Sequence, residues 1–279
     1  MKIELQHRNG TALRSPLLHQ NEAFVDIDFI AENHAAREQR LAQVNKTSSP
    51  FLHAVAQSLN RKNYYQELQK HLLAESRQLY KFILEQKKRQ GRKVFVFSSA
   101  YKNEGVATVV LNLIKAFEKA GENHRVLVVD ANVKTPGLTR FLGGMALGQG
   151  LLDLLAEGCE IKGILQKLVG AEIYFLGHGR KRKNAHEYMT YTNLKTHLAR
   201  LEDLFDFIIV AAPPLELNLE GYLWGRLADG LILVIHAYRT PLRAIKRIKR
   251  RTQRFNASIL GTVLNRRQFA IPKFVYEWV

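Results

Sequence analysis

Apolar positions along this chain fall into two textures that meet near residue 90. From Phe51 to about Arg89 they recur at helical spacing. Leu68, Leu72, Leu79, Phe82 and Ile83 share one side of a helix that ends in the solvated run Lys87-Lys88-Arg89. From Val94 onward short apolar runs rich in valine and isoleucine alternate with amphipathic stretches. The runs are Val94–Phe97, Val126–Asp130, Ile173–Leu176, Phe207–Val210, Leu231–Ile235 and Ile259–Leu264. Continuous apolar strands separated by helices predict a parallel sheet buried on both faces. Right-handed crossovers then give a doubly wound, mostly parallel α/β fold with helices on both faces, preceded by an N-terminal helical arm. The expected divisions are a partly ordered arm over 1–50, a helical extension over 51–90 and the α/β domain over 91–279. Within the arm no period is sustained, although Val25–Ile30 reads as a short strand or docking segment.

The bulk numbers refine this picture. A length of 279 residues with 46% hydrophobic and 24% charged residues suits one large soluble domain plus an arm. Net charge is +17, which favours an anionic partner: acidic lipid, an acidic protein face or, less favoured, nucleic acid. Cys159 is the single cysteine, so neither an internal disulfide nor a cysteine metal cage is available. The N-terminus lacks the apolar core of a signal peptide, and no stretch approaches the roughly 18 apolar residues that cross a bilayer. The expected location is the cytoplasm, with peripheral contact at the inner membrane through charge or a partner.

Ligands of such folds bind at the carboxyl ends of the strands. Here the first core strand runs straight into Ser98-Ser-Ala-Tyr-Lys-Asn-Glu-Gly-Val-Ala-Thr108 and then into a helix. Strand, loop and helix start form the place for a phosphate loop, with backbone amides and the helix dipole facing an anion. This loop and several segments C-terminal to it resemble the bacterial tyrosine kinases that regulate exopolysaccharide and capsule assembly, within the ParA/MinD group of deviant Walker ATPases. That family's loop reads approximately S-A-x-P-G-E-G-K-S-T, and Ser99, Ala100, Glu104, Gly105 and Thr108 keep their places. Val126–Pro136 resembles the second acidic motif, keeping Asp130. Gly150–Leu155 resembles the G-L-S-D-V-L segment, and Phe205–Pro214 the third acidic motif. Gly261–Asn265 closes the family order. The likeness covers roughly Leu72 to Asn265.

The departures carry the chemistry. Lys102 stands for the family's proline, Asn103 for a glycine, Val106 for the loop lysine and Ala107 for the serine. Asn132 replaces the second aspartate of its motif, and Ala211 replaces the Walker B aspartate. Phosphoryl transfer rests on positioning and on stabilising spread negative charge. One lost contact of that kind costs about 3–4 kcal/mol in barrier. Losses in one site do not add, yet four together leave no efficient catalysis. The degenerate loop Lys102–Thr108 and the former-site positions Asp130, Asn132, Ala211 and Asn265 therefore predict a pseudokinase with no catalytic residue, no metal and no cofactor. Lys102 or Lys134 supplying a substitute cation, with weak ATP and magnesium binding, is the alternative.

Other constellations point to partners. The helix opened by Pro241 carries Arg243, Lys246, Arg247 and Arg250, read either as a solvated basic face or as one for acidic lipid or protein, or for DNA as in a ParA-like positioning factor. Aromatics are not interleaved with the arginines, against single-strand stacking. Glu75, Gln78 and Lys81 fall where the family carries its E-x-x-R-x-x-R oligomerisation helix, which implies weakened self-assembly. The tail Phe269–Val279 has only Tyr276 where the family has a tyrosine cluster, and reads as a packing or docking segment. Ten histidines form no metal spacing, and His178 and His186, flanking Arg180–Lys183, read as solvated. Ser98 and Ser99 lack triad partners. The resemblance implies an adaptor in exopolysaccharide biosynthesis and export that binds a membrane polysaccharide co-polymerase or another secretion-system subunit.

Overall fold

The computed structural model describes residues 3–5, 61–142, 148–168 and 172–266, with side chains from residue 75 onward. Val25–Ile30, residues 51–60 and the tail with Tyr276 lie outside the described residues.

One eight-stranded sheet organises the described chain. Its strands are β1 (Ile3–Leu5), β2 (Val94–Ser99), β3 (Val126–Asp130), β4 (Gln166–Lys167), β5 (Ile173–Leu176), β6 (Phe207–Ala211), β7 (Gly230–His236) and β8 (Ile259–Asn265). Their order across the sheet is β1-β8-β7-β2-β6-β3-β5-β4. The six inner strands are parallel, and β1 and β4 pair antiparallel at the two edges. Part of the expected arm thus completes the sheet, with Ile3 opposite Val263. All six apolar runs read from the sequence become inner strands, because a parallel strand covered on both faces has no solvent side to carry polar residues.

Helices cover both faces. On one side lie α1 (Arg61–Gln90) and α2 (Val106–Ala120), packed on each other and on the sheet. Leu79, Phe82 and Ile83 of α1 meet Val109, Leu113 and Phe117 of α2 above Phe95, Phe97, Val128 and Ile209. Tyr80 sets its ring edge-on to Phe117 at 4.8 Å, and Phe117 does the same to Phe207 at 5.2 Å. The other side is covered by α4 (Leu151–Glu157), α7 (Tyr191–Glu202), α8 (Glu220–Leu227) and α9 (Leu242–Arg254) over Val96, Leu127, Val129, Ile208 and Leu233. Three short helices, α3 (Gly137–Phe141), α5 (Ile161–Ile164) and α6 (Ala185–Tyr188), lie in the connections. Among the described residues no helix is long and apolar enough to cross a membrane.

Candidate functional site

Strand register assembles the site. Phe97 of β2 and Asp130 of β3 both pair with Ala211 at the end of β6, so the connections leaving these three strands open side by side. The loop after β2 returns into α2 at Val106 with Gly105 at the cap, where no side chain caps the helix. The first amides of α2 therefore keep free hydrogens, as helix starts without a cap do. A cleft of about 380 Å³ lies over this turn, lined by Lys102–Thr108, Asp130, Asn132, Thr135, Gly137, Arg140, Phe141, Ala211, Ala212 and Arg266 among others.

Two residues give the loop its shape. Asn103 has φ 64° and Gly105 has φ 97°, both left-handed. Asparagine tolerates that region better than most residues, so the loop survives at the position where the resembling family has glycine. Gly105 is less replaceable, because a Cβ there would lie 1.9 Å from Nδ2 of Asn265. Asn265 belongs to the loop for the same reason: its Nδ2 donates to the Glu104 carbonyl at 2.8 Å across 161 residues. The Glu104 side chain is buried behind the loop. One carboxylate oxygen accepts from the amides of Ala100 (2.7 Å) and Tyr101 (3.1 Å), and the other accepts from the Thr240 hydroxyl. Burial pushes its pKa up, against the pull of these donors. Glu104 thus braces the loop from within.

The cleft floor is acidic and otherwise apolar. Asp130 is fully buried, and its Oδ2 accepts from the amide and hydroxyl of Thr139, each at 2.9 Å. Among the described residues its Oδ1 meets no hydrogen-bond donor at bonding distance. Desolvation raises its pKa despite the Thr139 donors. Ala107 and Ala211 offer no oxygen, and the Asn132 carbonyl accepts from the amide (3.2 Å) and hydroxyl (3.1 Å) of Thr135 to close its own turn. Among the described residues no group of three or more acidic, histidine or cysteine side chains is placed to hold a metal. Val106 stands at the helix start, leaving the lining cations Lys102 and Arg140, both exposed, and the half-buried Arg266.

Several expected residues are placed differently. Lys134 does not line the cleft; its Nζ lies 3.0 Å from Oε1 of Glu220, beside a separate shallow depression. Arg247 is not free on the basic face: its Nε reaches both Glu216 oxygens, at 3.0 and 2.9 Å, tying α9 to the loop after β6. Arg243, Lys246 and Arg250 are exposed, while Ala244, Ile248 and Thr252 face the core. His178 is half-buried rather than a free surface histidine; its Nδ1 sits 3.2 Å from the Thr139 hydroxyl, and burial lowers its pKa against the attraction of Asp130. Arg180 and Arg182 are engaged too, with Asp153 and Glu157. Gln78 and Lys81 are exposed on α1, and Glu75 is half-buried. Arg140 and Arg266, which sequence reasoning missed, arrive from α3 and from the end of β8. No local motif marks either residue.

Comparison with known proteins places this geometry. No family model matches the chain. It is 25% identical over 177 residues to the succinoglycan biosynthesis transport protein ExoP of Rhizobium meliloti, a match covering 62% of this chain and 22% of that protein. The tyrosine-protein kinase CpsD of Streptococcus pneumoniae serotype 4 is 24% identical over 196 residues, covering 65% of this chain and 79% of the kinase. The kinase domain of the Escherichia coli tyrosine kinase ETK superposes with a TM-score of 0.65 at 19% identity, covering 71% of this chain and 78% of that domain. The fold is that of these kinase domains, and the chain is similar in sequence to bacterial tyrosine kinases.

Proposed function

We propose that this chain, similar to tyrosine kinases and to a succinoglycan transport protein, works without catalysis as an adaptor in exopolysaccharide biosynthesis and export. One observation carries the reading: at the helix start where a triphosphate needs a cation stands Val106, above a floor formed by buried, desolvated Asp130 and by Ala211. No cation is fixed at the helix start, and the lining cations Lys102 and Arg140 stand on exposed positions. The fold is kept and the charge complementarity is not, which suits a domain used for its surfaces. Glu75, Gln78 and Lys81 on α1 and Arg243, Lys246 and Arg250 on α9 are the surfaces offered, to a membrane polysaccharide co-polymerase, another secretion subunit or a second copy. The Lys102–Thr108 loop with Asp130, Asn132, Ala211 and Asn265 is then a relic of a nucleotide site.

A second reading has its own observation. Lys102 lines the cleft from an exposed turn, so its flexible side chain is within reach of an anion held by the α2 amides. That reading makes the chain a weak ATP-binding tyrosine autokinase or ATPase. Incubation of the purified full chain with Mg-ATP separates the two: no phosphotyrosine and no ADP above the buffer blank are expected. Deletion of its gene in the source organism is expected to reduce secreted polysaccharide. Turnover above the blank would refute the non-catalytic half of the proposal, and unchanged polymer output the other half.

A further inference from the structure

Five large apolar side chains stand out in solvent among the described residues: Phe141, Leu217, Leu219, Tyr238 and Leu242, between 53% and 81% exposed. All five lie in connections that leave the carboxyl ends of parallel strands. Phe141 ends α3 after β3, Leu217 and Leu219 lie between β6 and α8, and Tyr238 and Leu242 lie between β7 and the first turn of α9. Parallel strands send all such connections to one edge of the sheet. Scattered exposed leucines need no explanation, but gathering of every large one on one edge does.

The same edge is basic. Lys102 follows β2, Arg140 adjoins Phe141, Lys181 and Lys183 follow β5, and Arg239 and Arg243 flank Tyr238 and Leu242; all are exposed. Most acids of these connections are spent internally. Glu216 is bound to Arg247, Glu220 to Lys134, and Asp153 and Glu157 to Arg180 and Arg182. Glu187 in α6 is the exposed exception. Farther along α9 the cations continue through Lys246, Lys249 and Arg250, with no acidic residue in the helix.

The Tyr238 turn is built to hold its aromatic ring outward. Tyr238 has φ 61°, a left-handed conformation that a bulky residue adopts at a cost, and yet is 81% exposed. Thr240 fixes the turn: its hydroxyl accepts from the His236 amide at 3.1 Å and donates to the buried carboxylate of Glu104.

We infer that this edge rests on an anionic lipid surface, with Tyr238 and Leu242 entering the headgroup layer and the flanking cations meeting lipid phosphates. Protruding apolar residues separated by cations suit a bilayer interface, where amphipathic tyrosine and basic side chains gather. A nucleic-acid backbone would reward the cations but not Leu242 or Leu217. The inference needs neither the adaptor role nor an inert cleft, because docking at this edge involves no nucleotide.

Sedimentation of the full chain with phosphatidylcholine vesicles, with and without phosphatidylglycerol and in the absence of nucleotide, tests it. Binding is expected only with the anionic lipid, weakening as salt rises. Tyr238→Ser with Leu242→Ser should weaken it at least about tenfold, and Arg239→Glu with Arg243→Glu by about fivefold or more per site. Lys115→Glu with Lys119→Glu, exposed on α2, should change it little. Circular dichroism and melting of each variant confirm the fold. No binding to anionic vesicles at low salt overturns the inference. So does unchanged binding by the Tyr238/Leu242 variant, which would reduce the effect to nonspecific charge. Duplex DNA displacing the vesicles while the apolar pair proves inert would assign the edge to nucleic acid instead.

Discussion

Replacing Gly105 with alanine is expected to lower stability by about 2–4 kcal/mol, a drop of roughly 5–15 °C in melting temperature. Two costs combine. At φ 97° a side chain enters the left-handed region, which costs about 1–2 kcal/mol. The new Cβ would also lie 1.9 Å from Nδ2 of Asn265, forcing that amide off the Glu104 carbonyl inside the protein. A buried donor left without its acceptor costs about 1–3 kcal/mol. Asn103→Gly serves as the contrast, since Asn103 is exposed and its φ of 64° suits glycine at least as well. That variant should melt within a degree or two of the parent. Equal destabilisation by both substitutions would show that the loop is not pinned through Asn265.

Asp153→Ala is expected to cost a similar amount, about 2–4 kcal/mol, and to do so in a pH-dependent way. The carboxylate is fully buried and serves four donors: the amides of Gly150 and Arg180, Nε of Arg180 and a terminal nitrogen of Arg182. Removal leaves two backbone amides short of an acceptor, each costing about 1–3 kcal/mol where water cannot enter. The arginines lose less, because both reach solvent and keep Glu157. Burial alone would raise the Asp153 pKa, but the Arg180 amide and guanidinium, with the Gly150 amide and Arg182, outweigh it and hold the value below the ordinary 3.8. A carboxyl group with a depressed folded-state pKa stabilises fully above its unfolded value and loses that contribution as pH falls through the folded one. The gap between parent and variant should therefore be complete at neutral pH and narrow below the ordinary aspartate range. Melting curves taken from pH 7 down to pH 3 check both sign and size. A gap that widens on acidification would mean that Asp153 is held protonated.

How much of this was legible in the sequence depended on how local each feature is. The run Val94–Phe97 grew only to Ser99, and Ile259–Leu264 only to Asn265, since two-sided burial writes a strand as an unbroken apolar run. The edge strands Ile3–Leu5 and Gln166–Lys167 escaped notice because two or three residues carry no period. The phosphate-loop place was legible because strand, turn and helix start are contiguous. What the loop is made to do was less so. Glu104 reads as a kept family residue, whereas its burial under two amides and Thr240 depends on a residue 136 positions away. Lys134 and Arg247 looked like available cations. Each is neutralised by an acid from another connection, Glu220 and Glu216, 86 and 31 residues distant. Charge counted along the chain cannot tell a paired cation from an exposed one. The same blindness hid the gathering of Phe141, Leu217, Leu219, Tyr238 and Leu242, which only strand order brings to one edge.

The proposed non-catalytic role rests on Val106, Ala107 and Ala211 lining the cleft beside Asp130. Isothermal titration of the full chain with ATP, with and without magnesium, addresses that basis directly. No saturable heat is expected at millimolar nucleotide in either condition, because Val106, Ala107 and Ala211 supply neither the cation nor the oxygens that a magnesium triphosphate needs. A saturable heat with micromolar affinity, strengthened by magnesium and lost in Lys102→Ala, would contradict this and return the chain to the nucleotide-binding proteins.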